Sequence, residues 1–238
     1  MRIFWTNVVA LLFVIMMNAL ANILPINGMT TGEISNQLDI YFTPASYVFS
    51  IWGLIYFLLA IWVFGQLPRT RRDLAVYSSC SELFWISCIL NIAWLLAWHY
   101  QFFLFSTIIM VCLLITMILL YNCAKKAEVS RIDSLPFSIY LGWICVATFA
   151  NISYYLVYIG NSEFQLYWTI AFLILATCIA LYFLWKRKDI FLTLVFVWAF
   201  IGIGVKNAGA HPSISISAYA CAVILAFFIG IALFQKKT

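Results

Sequence analysis

Charge is what this chain lacks most. Only 9% of its 238 residues are Asp, Glu, Lys or Arg, against 66% hydrophobic residues. Eight acidic residues fall at or near the ends of apolar runs and none at a centre. That absence argues against a proton-relay transporter, which needs an intramembrane carboxylate. There is no HExxH, no GxSxG, no phosphate-binding loop, no paired-carboxylate site and no metal-ligand cluster, so conventional hydrolysis and phosphoryl transfer are set aside. Seven cysteines show no CxxC spacing and none falls in an outer loop, so they read as small packing residues rather than a disulfide framework. No internal repeat is visible, and with it goes the inverted-repeat signature of many secondary transporters. No segment is polar enough for a separate soluble domain.

What is present is a series of eight apolar runs, at about residues 4–24, 46–66, 80–98, 102–122, 136–159, 166–185, 190–206 and 214–234. Most are long enough to cross a hydrocarbon slab of roughly 30 Å, which takes about 20 helical residues. The cations mark one side only. Arg2, Arg69, Arg71, Arg72, Lys125, Lys126, Arg131, Lys186, Arg187, Lys188, Lys236 and Lys237 fall at alternate ends, and Lys206 alone falls at the other set. The expected fold is therefore an all-α, polytopic helix bundle in the cell membrane with both termini cytoplasmic. The formal +5 charge is spread over five short ends, which orients the protein, allows contact with anionic membrane lipid and leaves no nucleic-acid surface. The first run, with Arg2 before it and Ala19-Leu20-Ala21 within it, resembles a signal peptide, but its length predicts a retained helix whose Asn18 and Asn22 pack on neighbours.

Turn chemistry supplies the connections. Pro25-Ile26-Asn27-Gly28 ends the first span, Pro44 opens the second, and the outer loop between them leaves room for a short helix over Thr31 to Leu38. His99-Tyr100-Gln101 makes a tight turn between the third and fourth spans. Pro136 is expected to open the fifth span and Asp189 to cap the seventh. His99 reads as an interfacial side chain, His211-Pro212 as loop punctuation, and Lys206 as a snorkelling cation or a partner for a ligand carboxylate. Glu82 is expected to pair with Arg72 or Lys126.

Aromatics are abundant: ten Trp, thirteen Tyr and twenty-one Phe. Trp5, Trp168, Trp185 and Tyr100 suit an interfacial belt, but Trp52, Trp94, Trp143 and Trp198 fall well inside spans, where an indole N–H wants a partner. Phe49, Trp52 and Tyr56 share a face of the second span. Ser87, Asn91, Trp94 and Trp98 share one on the third; Trp143, Ala147, Asn151, Tyr154 and Tyr158 share one on the fifth. From spacing alone two readings stand: three faces converging on an aromatic cavity for a flat hydrophobic ligand, or plain helix–helix contact.

Three stretches carry a resemblance. The run Phe42-Thr43-Pro44-Ala45-Ser46-Tyr47-Val48-Phe49-Ser50-Ile51-Trp52-Gly53-Leu54-Ile55-Tyr56 resembles the tPPxWvFgxvWtxLY signature of the tryptophan-rich sensory proteins, the TspO/MBR family. Leu90-Asn91-Ile92-Ala93-Trp94 resembles its LNxxW motif, and Trp143 through Asn151 its WvxfAxxLN motif. The resemblance covers about residues 1–160 and implies a five-helix core there, with residues 161–238 forming three additional spans. It also implies a pocket for a porphyrin or haem-like molecule with no required cofactor, a sensory or regulatory role, and possible homodimers. Carried over by motif, the ligand-binding candidates are Phe49, Trp52, Tyr56, Asn91, Trp94, Trp143, Ala147 and Asn151. The signature's second proline is Ala45 here and its following tryptophan is Tyr47. Two other functions fit the same features: a transporter or channel for a small lipophilic or anionic solute, and light-dependent porphyrin breakdown requiring Trp52 and Trp143.

Overall fold

The computed structural model describes residues 1–24 and 26–235; Pro25, expected to end the first span, and Lys236 and Lys237, counted with the cytoplasmic cations, lie outside the described residues. The helices are α1 (Arg2–Ile23), α2 (Thr31–Ser35), α3 (Ile51–Phe64), α4 (Ala75–His99), α5 (Phe103–Ala127), α6 (Arg131–Tyr158), α7 (Gln165–Lys186), α8 (Ile190–Asn207) and α9 (Pro212–Phe234). Short 3₁₀ turns occupy Ile26–Gly28, Ser46–Ser50 and Ser162–Phe164. Among the described residues eight helices are long and apolar enough to span a membrane, the second being Ser46–Phe64. The expected all-α, eight-span architecture is what the chain adopts.

Helix boundaries follow local chemistry, with one correction. Asp189 caps α8 as expected, its carboxylate accepting from the Leu192 N–H at 3.1 Å. Gln101, with φ of 59°, completes the three-residue turn between α4 and α5. Thr30 and Glu33 form a reciprocal capping box on α2: Thr30 N–H donates to Glu33 at 2.7 Å, and Glu33 N–H to the Thr30 hydroxyl at 3.2 Å. The Thr30 N–H, with a further contribution from the Thr30 side chain, holds the Glu33 carboxyl below its ordinary range. Pro136 does not open its helix. α6 starts at Arg131, more than a turn earlier, because the Asp133 carboxylate accepts from the N–H groups of Val129 and Ser130 and ion-pairs with Arg71. Those contacts secure a first turn that the proline alone would have left unmade.

The chain packs as two compact units. The first takes Met1–Ile34 and Ile51–Ile144; the second takes Ser35–Ser50 and the chain from Cys145 onward. α6 contributes to both and is the most buried span among the described residues. In the first unit α4 packs on α5 and α1, and α1 on α3. α1 shows why the spans are turned as they are. Val9, Leu12, Phe13 and Met16 are exposed at helical spacing, whereas Asn7 and Asn18 are buried with Leu11 and Val14. Asn7 donates to Ser81 at 2.9 Å and accepts from the Trp85 indole at 2.7 Å. The apolar face is outward and the polar face inward, the inverse of a soluble helix. Trp62 fills the inner end of this unit against Tyr77, Phe84 and Phe137, at 5.1–5.4 Å between centroids.

In the second unit α7, α8 and α9 pack on one another, and the Ser46–Ser50 turn packs on α8. Small residues permit the close approaches. Ser215 donates to the Gly204 carbonyl at 2.8 Å, and a methyl at Gly204 would fall 2.6 Å from the Tyr219 ring. Gly202 does the same for the preceding turn: its carbonyl accepts from the Ala45 N–H at 3.0 Å, and a methyl there would lie 2.2 Å from Val48 Cγ2 and 3.1 Å from Pro44 Cβ. Gly202→Ala is therefore expected to destabilise the protein by about 1–3 kcal/mol. Gly53→Ala, where nothing lies within 4 Å, should be neutral. Thermal unfolding in detergent reads both, and Val48→Ala should restore part of the Gly202→Ala loss.

Candidate functional site

Five of the eight residues singled out by motif lie in the first unit: Trp52 and Tyr56 on α3, Asn91 and Trp94 on α4, and Trp143 on α6. Three of these meet. Trp52 stacks on Tyr56 with centroids 5.6 Å apart and planes at 19°, and meets Trp143 edge-on at 6.2 Å. Tyr140, one turn before Trp143, completes the cluster by contacting the Trp52 ring edge-on at 5.7 Å. Sequence reasoning passed over Tyr140, although its i, i+3 relation to Trp143 puts it on the same face. Trp143 and Tyr140 are buried, while Trp52 and Tyr56 are half-buried.

Asn91 reaches this cluster through Tyr140. Its side-chain N–H donates to the Tyr140 hydroxyl at 3.1 Å, and its side-chain carbonyl accepts from Asn18 at 2.9 Å. A chain of amides thus runs from α1 through α4 to α6 and ends at a phenol against the tryptophan rings. Trp94 stacks on Trp98 at 6.0 Å. The Tyr56 hydroxyl is buried and has no hydrogen-bond partner among the described residues. A buried hydroxyl left so costs about 1–3 kcal/mol, which a bound acceptor can recover.

The remaining three lie in the second unit. Phe49 sits in the Ser46–Ser50 turn, half-buried rather than on α3 itself. Ala147 is half-buried and Asn151 buried on α6, and the Asn151 amide donates to the Ala147 carbonyl of its own helix at 3.0 Å. Trp198, expected to need a partner, donates its indole N–H to the Val48 carbonyl at 3.2 Å.

The polar residues of the loops are more engaged than their sequence suggested. His99 is wholly buried in the turn, with Nδ1 3.1 Å from the Ile26 carbonyl and Nε2 3.0 Å from the Thr31 hydroxyl. His211 is more than punctuation: Nε2 lies 2.9 Å from Asp39, and the ring lies against Tyr41 at 3.9 Å. Lys206 donates to the Ile40 carbonyl at 3.2 Å, and Asn207 to the Tyr41 carbonyl at 3.0 Å. Gln165 closes the set, donating to the Asp39 carbonyl at 3.0 Å and accepting from the Tyr41 N–H at 3.2 Å. Glu82 is exposed and makes none of the pairings expected of it. Arg71 pairs with Asp133 and Lys125 with Glu128 instead. The Tyr77 hydroxyl, with a further contribution from Asp133, raises the Arg71 guanidinium above its ordinary range. None of the eight candidates lines the groove of about 630 Å³ between α1 and α4, whose wall includes Trp5, Phe13, Cys88 and Ile92.

The amide chain yields a quantitative expectation. In a double-mutant cycle of Asn18→Ala and Asn91→Ala, the coupling should fall at about 0.6–1.7 kcal/mol, the range for hydrogen bonds between membrane helices. Reversible unfolding in mixed micelles measures it; strict additivity would remove the link.

The family model described as TSPO-like protein matches residues 4–231, and the chain belongs to that family. The match runs on through the last three spans, beyond the stretch that carries the three motifs. With the eight apolar helices it makes this a multi-pass membrane protein. Neither the curated proteins nor the solved structures gave a match.

Proposed function

We propose that this TSPO-like membrane protein binds a hydrophobic aromatic small molecule, such as a porphyrin, at the Trp52–Tyr56–Trp143 cluster and acts in a sensory or regulatory capacity. The observation that carries the reading is the buried Tyr56 hydroxyl without a partner beside stacked rings. Indole and phenol faces suit a planar macrocycle, and an orphan hydroxyl suits a carboxylate or carbonyl on its rim. Asn91 then positions Tyr140, and through it the ring that Trp52 leans on. Trp94, and the second-unit residues Phe49, Ala147 and Asn151, stay candidates on their motifs alone.

Tyr56→Phe separates this role from a structural one. Removing an unpaired buried hydroxyl should leave thermal stability unchanged or raised, while protoporphyrin affinity falls about five- to tenfold, the worth of a hydrogen bond of roughly 1–1.4 kcal/mol. Tryptophan quenching during titration reads the affinity. Unaltered binding in both Tyr56→Phe and the pair Trp52→Phe with Trp143→Phe would overturn the site.

The same reading keeps the cation-rich ends in the cytoplasm. Asn161→Cys, in an exposed outer turn, should label with an impermeant maleimide on intact cells above the wild-type background. Arg69→Cys should label only after permeabilisation; the reverse pattern would invert the topology.

A further inference from the structure

Cys80 and Cys123 were expected to be packing residues, yet their sulfurs lie 2.8 Å apart. That is closer than two unbonded sulfur atoms ordinarily rest, and within about 1 Å of the roughly 2.05 Å of a covalent S–S bond. Both thiols are free. Cys80 sits near the start of α4 and Cys123 near the end of α5, so the tight turn that makes these helices antiparallel neighbours also brings the two thiols together. Cys80 is wholly buried and Cys123 partly exposed. Of the pair, only Cys123 is reachable by a reagent from outside the bundle. Lys125 and Lys126 follow it in the last turn of α5, placing it close to the membrane surface rather than at mid-depth.

We infer that Cys80 and Cys123 form a reversible dithiol–disulfide pair, oxidised by a hydroperoxide, that clips α4 to α5. Cys123 sulfur attacks the terminal oxygen of the hydroperoxide, breaking the O–O bond; an alcohol leaves and a sulfenic acid remains. Cys80 sulfur then attacks the sulfenic sulfur, the S–S bond forms, and water departs with the thiol proton. Two thiols and one hydroperoxide become one disulfide, one alcohol and one water, with two electrons passing from sulfur to oxygen. The arrangement is that of an accessible thiol beside a resolving one. On the side carrying the cations, where thiols are kept reduced, such a bond forms transiently and is reversed by exchange with small thiols.

The consequence is mechanical. α4 and α5 are joined only by residues 100–102 at one end, and the disulfide would join them again near the other. Cys80, Ser87, Asn91, Trp94 and Trp98 recur at helical spacing on one face of α4, so the clip fixes the helix that holds Tyr140 through Asn91.

The purified full chain in detergent, exposed to hydrogen peroxide at a few equivalents, tests this without any variant. The intact mass should fall by the two protons of the missing thiols, and two of the seven cysteines should lose reactivity to an alkylating reagent. Peptide mapping should join the segments bearing Cys80 and Cys123, dithiothreitol should restore both, and the oxidised form should melt at higher temperature. Cys80→Ser should retain Cys123 as a sulfenic acid trappable by dimedone, with no disulfide. Seven alkylatable thiols after peroxide would overturn the inference. So would a disulfide mapping to other cysteines or between chains, or an unchanged two-thiol loss in Cys80→Ser. Protoporphyrin affinity plays no part in the readout, so the result stands apart from the ligand proposal.

Discussion

Polar side chains within a hydrocarbon layer have no water to turn to, and that single constraint orients the helices of this protein. Asn7 and Asn18 are the buried polar side chains of α1, and each is answered from α4: Asn7 by Ser81 and Trp85, Asn18 by Asn91. Turning α1 by half a revolution would carry both amides into lipid and bring exposed Val9, Leu12 and Phe13 against α4 in their place. Apolar contact cannot choose between these orientations, because lipid tails are as apolar as leucine. The amides can, since each would forfeit its partner in hydrocarbon. In the second unit Thr193 and Ser215 do the same for α8, bonding to Ala180 on α7 at 3.4 Å and bonding α9 to Gly204 at 2.8 Å.

The loop after α1 obeys the same rule outside the spans. Its backbone is held by polar side chains at helix ends. His99 at the end of α4 holds Ile26 and Thr31, and Asn27 returns a bond to the His99 carbonyl at 3.1 Å. Further along, Gln165, Lys206 and Asn207 bond to the backbone of residues 39–41. Lys206 is thus a structural donor to a carbonyl, and its four-carbon stem supplies the reach that a shorter polar residue would lack. Ile40 and Phe42 are wholly buried, so the segment is anchored by apolar side chains as well as by its backbone.

How much of this the sequence disclosed depends on the range of the interaction. Span number, the α4–α5 turn and the Asp189 cap were legible, because each is decided by neighbours within a few residues. So were the ring contacts of Trp52 with Tyr56 and Trp143, through family motifs and helical spacing. Pro136 misled because its preference for a first turn was outweighed by Asp133 three residues earlier, whose partner Arg71 is 62 positions away. The partners of His99, His211 and Lys206 could not be read for the same reason: they lie 68 to 172 residues distant. A helical wheel names the face a residue occupies but not the group it meets. Cys80 and Cys123 were invisible as a pair because no spacing rule relates thiols 43 residues apart on two helices. The capping box Thr30–Glu33, the i, i+3 pair Lys125–Glu128 and the ring of Tyr140 were readable locally and passed over.

These long-range bonds also sort the candidate residues by what each can offer a guest. The Asn91 amide is engaged at both ends, so it bears on the cluster through the placing of Tyr140. Trp143 and Tyr140 are buried and give the cluster a fixed wall. Trp52 and Tyr56 are half-buried on the same helix, one turn apart, with Gly53 between them exposing no side chain. The exposed part of the cluster is therefore the α3 edge, where Trp52 stacks on Tyr56 beside the buried Trp143 and Tyr140. There the Tyr56 hydroxyl is buried with no hydrogen-bond partner among the described residues.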